Sequence, residues 1–165
     1  MSSSIVRELI EREFSKRGIQ YFISGSFRFG YDTQASDLDV VVLDTSSDYS
    51  SILSIANELG GVGTILKSSH YISNLTEITL LGGKVHLVLF TKLDGFLSLK
   101  KEHEEVQSFL RENPILVHFL KGFKTKVKQI NGTTIYNTIK EVMRTTEKEI
   151  QEEKEEKFSK RLIRI

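Results

Sequence analysis

The chain has no cysteine, no tryptophan and a single proline, and its charges nearly cancel, at +1 over 165 residues. Without cysteine there is neither a disulfide framework nor a thiolate metal site, and a reducing compartment is allowed. The near-neutral balance gives no global electrostatic drive toward nucleic acid or membrane surfaces. No apolar run approaches the ~20 residues needed to cross a bilayer, and the N-terminus lacks the basic, apolar, small-residue order of a secretory signal. A cytoplasmic protein with no membrane partner is expected. The length suits one ordinary domain, or a small domain with a helical appendage.

What is present centres on Ile23 to Leu43, ISGSFRFGYDTQASDLDVVVL. A short apolar strand, Tyr21 to Ile23, runs into Gly25-Ser26, a polar loop follows, and Asp37 and Asp39 head the apolar strand Asp39 to Leu43. Side chains two apart on a strand share a face, so both carboxylates can hold one divalent cation while Leu38 points into the core. Gly25 and Ser26 can turn the first strand into a short helix whose free amides face an anion. Together these make half of a metal-triphosphate site. Arg28 can meet a phosphate, pair with Asp32 or remain solvated; Ser36 can orient a carboxylate or cap the start of the strand. The strand from Asp39 lacks alternation, as expected of one covered on both faces.

Around this stretch the periodicities predict a mixed α/β (α+β) fold: a small mixed sheet with flanking helices, then a helical C-terminal region. Ile5, Val6, Leu9, Ile10 and Phe14 mark a first helix with serine caps before it and Gly18 after it. Asp48 can cap a crossover helix carrying Ile52, Ile55, Ala56 and Leu59, which Gly60-Gly61 ends. Thr64 to Leu66 is a candidate strand, and His70 falls in a loop. Ile78 to Leu81 and Lys84 to Phe90 flank Gly82-Gly83, a hairpin signature that puts Thr79 opposite His86. Glu77 then projects from the same face as His86. Beyond Leu93 the pattern is helical: one helix through Leu97, Val106 and Leu110, a second opened by Pro114 and closed at Asn131-Gly132, a third from Thr134. The boundaries predicted are a core over 1–92, helices packed on it over 93–146, and a charged helical or disordered tail over 147–165. Lys121, Lys124, Lys126 and Lys128, interleaved with Phe119 and Phe123, form the one basic patch, which reads as a solvated face or as a polyanion contact.

Gly25-Ser26, followed by Asp37-Leu38-Asp39 at offsets of twelve and fourteen from the glycine, resembles the nucleotidyltransferase superfamily of the polymerase-β type. Its minimal members are the most similar, and the resemblance covers about the first ninety residues. It implies a metal-dependent enzyme that transfers a nucleoside monophosphate from a nucleoside triphosphate, ATP expected, to a hydroxyl of a protein side chain, an RNA 3′ end or a small molecule, releasing pyrophosphate. Gly25 and Ser26, with Arg28 and Ser36 beside them, would serve the nucleotide; Asp37 and Asp39 would hold Mg2+ or Mn2+. Where the family's later strand carries a third carboxylate, this chain has Val85-His86-Leu87-Val88. His86, or Glu77 as substitute carboxylate, would then manage the acceptor's proton, and an imidazole shifts metal preference from magnesium toward manganese or zinc. The departure also raises an alternative, a degenerate, non-catalytic nucleotidyltransferase fold acting as a binding protein, antitoxin or inhibitor. Either reading allows a homo-oligomer or a partner protein on the C-terminal helices.

Overall fold

A computed structural model describes residues 3–45, 50–58, 64–68, 75–80, 84–127 and 132–164, with strands 64–68 and 75–80 given by their backbone pairing. The elements run α1 (Ser3–Lys16), β1 (Gln20–Ser24), α2 (Gly25–Phe29), β2 (Leu38–Leu43), α3 (Ser50–Glu58), β3 (Thr64–Ser68), β4 (Leu75–Leu80), β5 (Val85–Phe90), α4 (Leu93–Glu112), α5 (Pro114–Lys126) and α6 (Gly132–Ile163). The expected mixed sheet with flanking helices and a helical C-terminal region is what forms. Its strand order is β1-β2-β5-β4-β3. The β2 and β5 strands pair in parallel, and every other neighbouring pair is antiparallel.

Alternation along β2 sorts the residues into two layers. Leu38, Val40 and Val42 face one side, where they pack with Val85, Leu87 and Leu89 of β5 against Val6, Ile10 and Phe14 of α1 and Ile52 and Ile55 of α3. Val6, Ile10 and Phe14 recur every four residues, so a single stripe of α1 enters this core while Ile5 stays exposed. Val41 faces the other way and joins Phe22, Phe90 and Phe96, with Leu43, Val88 and Leu99 beside them. Both faces of the central strands are therefore covered, which explains the apolar runs Val40 to Leu43 and Leu87 to Phe90. Arg17 reaches Glu58 and ties the end of α1 to that of α3.

The hairpin register puts Thr79 opposite His86 and Glu77 opposite Val88, as the glycine pair implies. Gly82-Gly83 itself, the Asp48 and Gly60-Gly61 helix boundaries, His70, Lys128 and the Glu77 side chain lie outside what is described. Thr64 to Ser68 is a strand. The α5 helix opens on Pro114, as predicted, but ends at Lys126, and α6 begins at Gly132. By contacts the chain divides into two units, 1–129 and 130–165, so α4 and α5 belong with the sheet. Within the second unit α6 runs unbroken through the charged tail, supported by pairs such as Glu153 with Lys157 and Glu156 with Lys160. Among the described residues no helix is long and apolar enough to cross a membrane.

Candidate active site

The β1 strand ends at Ser24 and the chain turns at Gly25, whose φ of +63° lies in the left-handed region. A Cβ there would sit 2.1 Å from Asp39 Oδ2 and 3.0 Å from its Cγ. Two independent constraints thus require glycine: the backbone turn, and the space that the Asp39 carboxylate occupies against its Cα. The short α2 follows, and Gly30, at φ +82°, closes it by donating its N–H to the Ser26 carbonyl at 2.9 Å.

Asp39 is the hub across the sheet. It pairs with Ser24 on β1 and with His86 on β5. Parallel register brings His86 Nδ1 to 3.9 Å from Asp39 Oδ1, with both side chains about two-fifths exposed, at 41% and 38%. At that separation the contact is an ion pair only when the imidazole is protonated, and it is too long for a direct hydrogen bond. Asp37 is exposed just ahead of β2, and the Leu38 N–H donates to the Lys84 carbonyl at 2.8 Å, fixing where β2 begins beside β5.

Ser36 is buried and closes the preceding loop. Its Oγ accepts the Thr33 N–H at 2.8 Å, and its own N–H donates to the Thr33 carbonyl at 3.0 Å. Into this niche α5 delivers Lys124. Its Nζ donates to Ser26 Oγ at 2.9 Å and to Ser36 Oγ at 2.8 Å, and lies 5.8 Å from the centre of the Tyr31 ring. Burial lowers the lysine's pKa below its usual range, while the negative charges of Asp39, Asp32 and Asp37, in that order, oppose the shift. The ammonium is thus held by the two serines, within electrostatic reach of three carboxylates.

The residues expected at the site are not all brought together. Gly25, Ser26, Ser36, Asp37, Asp39 and His86 converge around the ends of β1, β2 and β5. The Arg28 guanidinium is held on the α4 side of the sheet: Nη1 donates to the Ile23 carbonyl at 3.2 Å, and the group lies 5.6 Å from the centre of the Phe22 ring. Glu77 has only its backbone register to place it.

The chain matches no protein-family model and no curated protein. Chemical fit therefore decides what the site can hold. Among the described residues no group of three or more His, Cys, Asp or Glu side chains is placed to bind a metal ion. Asp37 and Asp39 offer oxygen donors of the kind a hard divalent cation takes, and the Gly25 cradle holds the Asp39 carboxylate in place.

Two contributors escaped the sequence reading. Lys124 lies four residues after the buried Leu120 and seven after Val117, whose methyl approaches Gly30; a lysine on the packed stripe of α5 was the available signal. His103 occupies the packed stripe of α4 between Phe96 and Leu110. Its Nδ1 lies 3.1 Å from the Leu99 carbonyl, which can only accept, so Nδ1 carries the proton. In the neutral ring Nε2 then accepts the Ser24 hydroxyl at 2.6 Å. The residue directly before Gly25 is thereby tied to α4.

Proposed function

We propose that this chain is a nucleotidyltransferase of the polymerase-β type, transferring a nucleoside monophosphate from a nucleoside triphosphate, ATP first, to a hydroxyl acceptor with release of pyrophosphate. The observation that carries the reading is the Asp39 carboxylate lodged against the left-handed Gly25, which joins the Gly-Ser turn to a carboxylate of the kind that binds hard cations. Ser26 and Lys124 face the triphosphate, the lysine supplying positive charge that the sequence motif alone does not include. Asp37 and Asp39 would hold Mg2+ or Mn2+, which when bound supplies Lewis-acid neutralisation of phosphate charge. With Nδ1 of His86 turned to Asp39, Nε2 is the nitrogen left to take the acceptor hydroxyl's proton; Glu77 is the alternative base. Positioning and fixed charge do the remaining work.

The acceptor class proposed is a protein side chain, ahead of an RNA 3′ end or a small molecule, in a cytoplasmic setting. Exposed Ile115 and Phe119, with the Phe123 ring stacked on Phe119 at 6.0 Å, give α5 an apolar ridge for a partner protein. The test is incubation with nucleotides labelled at the α-phosphate and Mg2+ or Mn2+, with cell lysate as acceptor source. A labelled product that Asp37→Ala and Asp39→Ala each remove supports the enzyme.

A second reading, a non-catalytic nucleotidyltransferase fold that binds nucleotide or a partner, is favoured by one observation: the residue paired with Asp39 on β5 is His86 and not a carboxylate. Nucleotide binding without transfer under either metal selects it.

A further inference from the structure

Lys124 stands where a cation is wanted. Its ammonium donates to Ser26 Oγ at 2.9 Å and Ser36 Oγ at 2.8 Å, so two of its three protons are fixed by hydroxyls from either end of the loop that separates the glycine turn from the carboxylates. Asp39, Asp32 and Asp37 all act on it electrostatically. Like charges gathered around one niche repel unless a cation neutralises them, and here the chain supplies that cation from a helix 98 residues further along than Ser26. A divalent ion approaching Asp37 and Asp39 without its nucleotide would meet a positive charge already in place.

We infer that Lys124 is the resident counter-ion of the carboxylate cluster and excludes free divalent metal until a triphosphate draws the ammonium onto its own oxygens. Metal and nucleotide would then enter together, with Asp37 and Asp39 as the residues that hold the metal. The role of the triphosphate rests on the nucleotidyltransferase reading. Exclusion of free metal does not, so it is tested with metal alone.

The probe is Mn2+ without nucleotide, its binding followed by electron paramagnetic resonance of the free ion. The unaltered chain should bind Mn2+ weakly. Lys124→Met and Lys124→Gln should each bind it about tenfold more tightly or better, because the repelling charge on the niche has gone. Adding Asp39→Asn to either should erase the gain. Glutamine keeps an amide donor for the two serines, so it decides the matter if the methionine variant does not fold by circular dichroism.

A measurement on the unaltered chain needs no variant. Trace acetylation read by peptide mass spectrometry should modify Lys124 more slowly than the exposed Lys121 and Lys126, and faster as Mn2+ is raised to saturation. Folded variants with unchanged or weaker Mn2+ affinity, or a Lys124 acetylation rate indifferent to bound Mn2+, overturn the inference. Tight Mn2+ binding by the unaltered chain overturns it too while leaving nucleotidyl transfer intact, and absence of transfer leaves the metal result standing.

Discussion

At Gly25 two physical demands meet on one atom position, a left-handed φ and a carboxylate 2.1 Å from where a Cβ would stand. Gly25→Ala must therefore displace Asp39 as well as strain the turn. The expected cost is about 1–3 kcal/mol in denaturant unfolding, with nucleotide binding lost in calorimetry while the fold persists. His86 is a different case, since it is part-exposed and takes little share in the core. His86→Ala should lower transfer by roughly a hundredfold or more in single-turnover assays while leaving nucleotide affinity within about twofold. If His86→Asp instead raises transfer, the histidine is a degeneration of the site. The Gly-Ser and Asp-x-Asp residues were legible because their chemistry is written in short spacing. Lys124 was not, because a lysine between Phe123 and Lys126 looks like any solvated helix face until the packing turns that stripe of α5 inward.

Among the elements, β2 and β5 could be read from the apolar runs Val40 to Leu43 and Leu87 to Phe90, and the β4–β5 register from a glycine pair. A crossover helix was legible in α3, but the parallel pairing of β2 with β5 was not, because β3 and β4 intervene before the chain returns beside β2. The contact that anchors the end of β1 is similarly non-local: Ser24 and His103 are 79 residues apart in sequence. Ser24→Ala would leave Nε2 of His103 without its hydroxyl in a position only 4% exposed. One hydrogen bond contributes about 0.5–1.5 kcal/mol net, and urea unfolding should show a loss of that size. A loss below a few tenths of a kcal/mol would mean that water replaces the hydroxyl. His103→Phe in the Ser24→Ala background should recover part of the loss, because apolar groups then replace both partners.

For the whole molecule, the division at 129/130 leaves the sheet, α4, α5 and every residue of the candidate site in one unit. Residues 147–164 of the other unit are all exposed, and their ion pairs are of the surface kind. Exposed pairs of this type contribute about 0–1 kcal/mol each, so ending the chain at Thr146 should leave the main unfolding transition within about 1 kcal/mol of its original stability. A larger fall would show that the tail buries surface in solution.

One reaction, nucleotidyl transfer, defines the proposed enzyme. Incubation with α-phosphate-labelled ATP and Mg2+ or Mn2+, in lysate and with purified chain, measures it directly. Label transferred to a macromolecule or small-molecule hydroxyl, lost in both Asp37→Ala and Asp39→Ala, is the result predicted. Absence of transfer with either metal, together with ATP affinity unchanged by those two substitutions, would contradict it.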